Sequence, residues 1–164
     1  RLCAACREIV GDRGGPVAQA AYADLLRLAR DGSGPLSGFD GPFDLVWLGW
    51  GSFTHVTVAE DHAAILASIR SLAPAAPLVL SFYLHPPVPP PQGRLMRLRR
   101  TLRRALRDLG GAGESWSVEY WANVGFTYTF SEAELRALFH AAGYSIAVFE
   151  ADPYPHALLL PSSS

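Results

Sequence analysis

The sequence predicts a single α/β domain built on a mostly parallel β-sheet. Two nearly continuous apolar segments, residues 43–48 and 77–84, are typical of parallel strands that are buried on both faces. A helical pattern follows each of them, and two short strand-like segments close the chain. Alternating strands and helices indicate a parallel sheet covered by helices. The final pair flanks Asp152-Pro153-Tyr154-Pro155, which predicts an antiparallel hairpin.

Composition supports this class. The chain has 164 residues, of which 49% are hydrophobic and 18% charged, enough for one domain with a hydrophobic core. The net charge of −1 gives no overall attraction to nucleic acid or to an anionic membrane. No apolar run is long enough to cross a bilayer and no signal peptide opens the chain, so we expect a cytoplasmic protein. Because the first residue is Arg within a helical pattern, we also expect a preceding segment.

The elements are predicted as follows. Residues 2–10 end a helix, and 17–21 form a short strand that leads into 22–25. Between the two long apolar strands lies a helix over 59–72, with Glu60 and Asp61 in its first turn and Pro74 after it. An Arg-rich amphipathic helix covers 93–109.

The last helix, residues 131–142, has the clearest signals. Ser131 and Glu134 have the spacing of a capping box, and Gly143 stands where a left-handed residue ends a helix. The two closing strands are predicted over 146–149 and 156–160.

Three segments together resemble the class I S-adenosylmethionine-dependent methyltransferases. Phe43 to His55 (FDLVWLGWGSFTH) resembles that family's fourth strand and the loop after it. Ile65 to Phe82 resembles the next helix and the fifth strand, and Phe130 to Tyr144 resembles the last helix before the terminal hairpin. The resemblance implies a Rossmann-like methyltransferase fold, with residues 92–113 as a helical insertion or cap.

The sequence departs from the family pattern at its start. The family's glycine-rich loop after the first strand and the acidic residue that ends the second strand are both absent. The resemblance therefore implies that residues 1–164 are a single, N-terminally truncated domain. Since the family's first strand lies beside the fourth, that strand would have an unpaired edge here. We expect the isolated fragment to be poorly stable and nearly inactive.

The resemblance also nominates residues that bind S-adenosylmethionine. The loop after the first apolar strand would line the methionine end of the cofactor, through Leu48, Gly49, Trp50, Gly51, Ser52 and Phe53. The alternative is an ordinary strand-to-helix loop with a buried Trp. Ala23, Asp24 and Leu25 resemble the segment beside the adenine, and the alternative for Asp24 is a helix cap or a solvated turn residue.

Topology nominates the substrate site. The helix that begins at Ser131 must start at the ligand-binding edge of the sheet, so residues 116–130 are delivered there. The candidates are Tyr83, His85, Tyr120, Trp121, Asn123 and Tyr128. The alternative is an aromatic patch packed against the sheet. His55 and His85 are candidate general bases, although a base is optional because positioning supplies most of the catalysis, and each has a structural alternative.

Two further motifs bear on function. Cys3 and Cys6 form a CxxC without a second ligand pair, so we predict no metal site. Half of the 14 basic residues lie on the Arg-rich helix, namely Arg94, Arg97, Arg99, Arg100, Arg103, Arg104 and Arg107. They indicate either a solvated face over a Leu stripe or a surface for an anionic substrate, RNA or membrane.

We therefore predict methyl transfer from S-adenosylmethionine to a small-molecule acceptor that the sequence does not identify. One alternative is a non-catalytic methyltransferase-like domain that binds RNA or a partner through Arg94–Arg107. A second is another nucleotide-binding α/β enzyme, such as a dehydrogenase, which the terminal antiparallel hairpin disfavours. The oligomeric state is left open.

Overall fold

The computed structural model describes Ala5, Glu8 and residues 17–39, 41–85, 118–121 and 125–162. Their helices are α1 (Tyr22–Asp31), α2 (Ala59–Leu72) and α3 (Glu132–Ala141). Their strands are β1 (Val46–Leu48), β2 (Leu78–Ser81), β3 (Val118–Trp121), β4 (Gly125–Tyr128), β5 (Tyr144–Glu150) and β6 (His156–Pro161). A 3₁₀ turn, Ser52–His55, follows β1.

The main sheet has the strand order β1-β2-β6-β5. β1 is parallel to β2, whereas β6 is antiparallel to both β2 and β5. Three strands therefore run in one direction and β6 alone is reversed. The predicted mostly parallel sheet with a closing antiparallel hairpin is confirmed.

The core lies against one face of this sheet. Strand register places Val46, Leu48, Leu78, Leu80 and Leu159 on that side, which we call the inner face. These residues pack with side chains of α2 and α3 in one cluster. The opposite, outer face has Trp47 beside Val79 and Val79 beside Leu158, and the Trp47 side chain is 70% exposed.

Helix boundaries follow their local signals. α2 spans the predicted residues, and Pro74 follows it. In α3, the Ser131 hydroxyl accepts from the Glu134 amide at 3.1 Å, and the Glu134 carboxylate accepts from the Ser131 amide at 3.4 Å. The predicted capping box is thus confirmed. Gly143 has a φ of 78°, as its predicted left-handed position requires.

One sequence-based prediction is wrong, and one pair of strands was not predicted. Residues 17–21 form no strand; they lead into α1, where the Asp24 carboxylate accepts from the Ala21 amide at 2.9 Å. Residues 116–130 were predicted to be delivered to the ligand-binding edge, with no strand assigned among them. The described part instead contains an antiparallel pair, β3 and β4, which forms a separate two-stranded sheet.

β1 occupies one end of the sheet order, and nothing in the described ranges pairs with its outer edge. This agrees with the expected unpaired edge. Among the helices of the described residues, none has the length and apolar content that a membrane crossing requires.

A candidate site at the carboxyl rim of the sheet

Four chain segments meet at the carboxyl ends of β1 and β2, which we call the rim. They are residues 49–55 after β1, 82–85 after β2, 129–131 before α3, and 151–155 between β5 and β6. Leu84 and Phe130 form a parallel bridge. The Phe130 amide donates to the Tyr83 carbonyl at 2.9 Å, and the His85 amide donates to the Phe130 carbonyl at 2.8 Å. The segment before α3 therefore reaches the rim, as its topology predicted.

The loop after β1 reverses direction through two left-handed residues. Trp50 has a φ of 59° and Gly51 a φ of 63°. A left-handed backbone at a non-glycine residue costs about 1–2 kcal/mol, and such strain concentrates at functional sites. The Trp50 side chain is also 87% exposed. A large, strained and exposed aromatic residue at this position points to a ligand.

Glycine is required beside Trp50 because other side chains occupy the space. A Cβ at Gly51 would lie 3.2 Å from Cζ of the Tyr83 ring. A Cβ at Gly49 would lie 3.2 Å from the Trp47 indole. Both glycines therefore allow aromatic rings to pack directly against the loop backbone.

Ser81, at the end of β2, connects three segments of the rim. Its buried hydroxyl accepts from the Gly51 amide at 2.7 Å and from the Tyr154 hydroxyl at 3.2 Å. It donates to the Leu48 carbonyl at 3.4 Å. The strained loop is thereby fixed both to β2 and to the loop between β5 and β6.

A cleft of about 380 Å³ opens on the outer face beneath this loop, and we call it the rim cleft. It is lined by Trp47, Gly49, Trp50, Val79, Leu80, Ser81, Tyr154 and His156. Its walls are mainly aromatic and aliphatic, with the Ser81, Tyr154 and His156 polar groups at one end. This combination is typical of small-molecule sites.

Phe53, within the 3₁₀ turn, packs in an aromatic cluster of the core. Phe53 is fully buried, stacks on Phe130 with ring centroids 5.7 Å apart, and contacts the edge of His62 at 4.8 Å. Burial lowers the pKa of His62, although hydrogen bonding to the Phe53 backbone offsets part of the shift. Within the described ranges, His62 Nε2 has no hydrogen-bond partner.

The structure divides the predicted cofactor residues into two groups. Gly49 and Trp50 line the rim cleft, and Gly51 lies buried behind them. Phe53 was predicted to line the methionine end of the cofactor, whereas its ring is fully buried in the core cluster. Leu48 is on the inner face and packs against the core as well. Trp50 is exposed, not buried as the alternative had it, and its cofactor role stays a prediction.

Ala23, Asp24 and Leu25 lie in the first turn of α1. The Tyr22 hydroxyl is 2.9 Å from the Ser52 hydroxyl, which brings this turn next to the loop after β1. The pKa of Tyr22 is raised, mainly by burial. Asp24 caps the helix and lies 3.4 Å from Arg27, the structural role that was its alternative. Its predicted place beside an adenine stays a prediction.

The residues predicted to bind the substrate do not all lie at one site. The Tyr83 ring lies against Gly51, and the exposed His85 has its Nδ1 3.0 Å from the Thr129 hydroxyl. Tyr128 is only 2% exposed and donates to Glu134 at 2.6 Å, so the packing alternative holds for this residue. Tyr120 and Trp121 belong to β3, and Asn123 lies outside the described residues.

His55 is exposed at the end of the 3₁₀ turn. Its role as a base, like that of His85, stays a prediction. Residues 92–113, with Arg94–Arg107, and both cysteines also lie outside the described residues. The described part contains no group of three or more His, Cys, Asp or Glu that could hold a metal ion.

Sequence reasoning missed Ser81, Tyr154 and His156. One signal was available: in a closing hairpin, a strand parallel to β2 must end at the rim, so residues 151–155 belong there. The pairing of His156 with Ser81 depends on strand register, which has no local signature.

The chain matches no protein-family model and no curated protein. Solved structures do match. DesVI of Streptomyces venezuelae is 13% identical with a TM-score of 0.55, over 96% of this chain and 69% of that chain. The 1,6-didemethyltoxoflavin-N1-methyltransferase of Burkholderia thailandensis is 18% identical with a TM-score of 0.50, over 79% and 49%. Magnesium protoporphyrin IX methyltransferase of Synechocystis PCC 6803 is 18% identical with a TM-score of 0.49, over 97% and 57%.

The fold is that of the class I methyltransferases. The chain spans about half to two thirds of the length of these neighbours. In this methyltransferase fold, the rim is the edge at which an open α/β sheet binds its ligands. The rim cleft and the loop after β1 both lie there.

Proposed function

We propose that this chain binds S-adenosylmethionine at the rim and acts in methyl transfer to a small-molecule acceptor. The observation that carries the proposal is the strained and exposed Trp50 between Gly49 and Gly51, at the carboxyl end of β1 in a methyltransferase fold. The Burkholderia neighbour was crystallised with S-adenosylhomocysteine and its substrate, which supports the same ligand class here.

The described residues fit the methionine end of this cofactor. A sulfonium is a cation, and the face of a Trp ring attracts cations by about 0.5–2 kcal/mol. The Trp47 indole packs against the Gly49 backbone, which places a second Trp ring beside this loop. The ribose and adenine have no such match, because the Asp24 carboxylate is engaged with the Ala21 amide and with Arg27.

S-adenosylmethionine supplies a methyl group that is already activated by the positive sulfur. The chain's own contribution is therefore positioning and exclusion of water. The Ser81 hydrogen bonds hold the loop after β1 in one geometry. The apolar walls of the rim cleft favour an acceptor that has lost its water shell.

Calorimetry with S-adenosylmethionine and S-adenosylhomocysteine tests this proposal, since only the first carries the positive charge. The chain binds both, and Trp50→Ala lowers the affinity for S-adenosylmethionine by about tenfold, the equivalent of 1.4 kcal/mol. The affinity for S-adenosylhomocysteine falls less, because a neutral thioether has no cation–π attraction to lose.

Leu160→Ala is the matched control. Leu160 is 41% exposed and lies near the far end of β6, four residues from His156. The Leu160→Ala substitution leaves the affinities for S-adenosylmethionine and S-adenosylhomocysteine unchanged. The proposal is wrong if the unmodified chain binds neither ligand, or if Trp50→Ala does not discriminate between them.

A further inference from the structure

His156 is the polar residue of the rim cleft whose ring is oriented by the backbone. Its Nδ1 lies 2.7 Å from the Tyr154 carbonyl oxygen. A carbonyl only accepts hydrogen bonds, so Nδ1 carries the hydrogen. In the neutral ring, Nε2 then holds a lone pair. Within the described ranges, Nε2 has no hydrogen-bond partner.

The loop that orients His156 is itself fixed. The Phe82 amide donates to the Pro155 carbonyl at 3.1 Å, and the Tyr154 hydroxyl donates to Ser81. Register places His156 between Ser81 on β2 and Glu150 on β5, all with side chains on the outer face.

The other residues that line the rim cleft indicate which class of ligand would bind next to the His156 lone pair. Three exposed aromatic residues line the same cleft: Trp47, Trp50 and Tyr154, at 70%, 87% and 50% exposure. Val79, on the outer face, adds apolar surface. Of the described residues that line the cleft, none is Arg, Asp or Glu, so no such side chain forms an ion pair with a ligand there. Flat aromatic molecules stack well on such walls.

We propose that the rim cleft binds an uncharged planar aromatic molecule with an acidic O–H or ring N–H, and that His156 Nε2 accepts this proton. This rests on the proposed function, in which that molecule is the methyl acceptor. The O–H or N–H bond breaks, its electron pair stays on oxygen or nitrogen, and the proton forms an N–H bond at Nε2. The imidazolium then balances the anion, which is the stronger nucleophile.

para-Nitrophenol is a suitable probe because its phenolate absorbs visible light and its phenol does not. It is added to the chain at a pH below its own pKa. On binding, the ratio of phenolate to phenol rises about tenfold, the equivalent of one pKa unit. His156→Gln still binds the probe, but the ratio stays at its value in free solution.

His140→Gln is the matched control, because His140 is exposed at the end of α3 that points away from the rim. The His140→Gln variant shows the same tenfold rise in the ratio of phenolate to phenol as the unmodified chain. A second measurement needs no variant: nitrogen NMR of His156 in the intact chain shows the hydrogen on Nδ1.

The inference is overturned if the chain does not bind the probe, if binding leaves it un-ionised, if His156→Gln ionises it equally, or if NMR finds the neutral ring protonated on Nε2. Parallel calorimetry with S-adenosylhomocysteine separates the two proposals. If that ligand binds and the probe is not ionised, only the role of His156 fails. If the probe is ionised and that ligand does not bind, the methyl-transfer function fails.

Discussion

Trp50 and Gly51 show how single residues shape the rim. Both hold a left-handed backbone, yet only Gly51 is of the residue type that adopts it without strain. Two neighbours maintain the conformation: Ser81 accepts from the Gly51 amide, and the Thr54 amide donates to the Gly51 carbonyl at 2.9 Å. The strain at Trp50 is thus compensated by a buried hydrogen-bond network, and the outcome is an aromatic ring held in solvent.

Gly51→Ala tests the contact with Tyr83, with Gly32→Ala as the control. Both glycines have nearly the same φ, 63° and 64°, so the backbone strain of about 1–2 kcal/mol is common to them. A Cβ at Gly32 meets nothing within 4 Å, whereas one at Gly51 lies 3.2 Å from the Tyr83 ring. In urea unfolding, Gly51→Ala loses about 1 kcal/mol more than Gly32→Ala. Equal losses would mean that Tyr83 does not restrict this position.

At the level of secondary-structure elements, the sequence predicts those features that depend on neighbouring residues, and it does not predict those that depend on distant contacts. The bounds of α2 and the capping box of α3 could be predicted because both depend on residues within one or two turns. α1 was missed because its amino end lacks a Ser, Thr or Asn cap, and Asp24 supplies the capping carboxylate from within the first turn.

The same distinction applies to the site. The loop after β1 could be placed at the rim because strand direction alone determines it. The orientation of Phe53 could not, since it depends on the two left-handed residues before it. The contacts of Ser81 with Gly51 and Tyr154 join residues 30 and 73 positions apart, which no sequence pattern encodes.

His62, in α2, makes the free energy of unfolding depend on pH. Burial lowers the pKa of His62 below its ordinary value of 6.5, so the folded state holds the ring neutral. As pH falls through 6.5, the unfolded chain takes up a proton that folded His62 does not. The free energy of unfolding therefore decreases on acidification until the lowered pKa is reached, by up to about 1.4 kcal/mol per pH unit.

His62→Phe removes this contribution, because Phe fits the surrounding rings and does not titrate. Unfolding free energies measured across mildly acidic to neutral pH give a shallower slope for the variant than for the unmodified chain. Every other ionisable group is common to both proteins, so its contribution cancels in the difference between the two slopes. Equal slopes would show that His62 is not held neutral.

For the whole molecule, the exposed edge and outer face of the sheet are the surfaces at which we expect association between chains. β1 is the last strand in the sheet order, and Leu45 and Trp47 beside that edge are 51% and 70% exposed. No described strand pairs with this edge, and an unpaired apolar edge favours pairing between chains. We expect the chain to self-associate as its concentration rises.

Leu45→Lys places a charge beside the edge and reduces this association, as followed by sedimentation velocity. Because Leu45 is largely exposed, the free energy of unfolding changes by no more than about 0.5 kcal/mol. Leu160→Lys puts the same charge near the far end of β6 and leaves the association intact. An equal effect of both variants would indicate a general charge effect instead of edge pairing.

The most direct test of the account is to map where S-adenosylhomocysteine binds, by amide NMR of the nitrogen-labelled chain. This works even for weak binding. The account predicts that the largest shifts fall on residues 49–55 and 81–85, and that a nicotinamide dinucleotide leaves these amides unchanged. Shifts at the opposite end of the sheet, or at the rim with the dinucleotide alone, would contradict it.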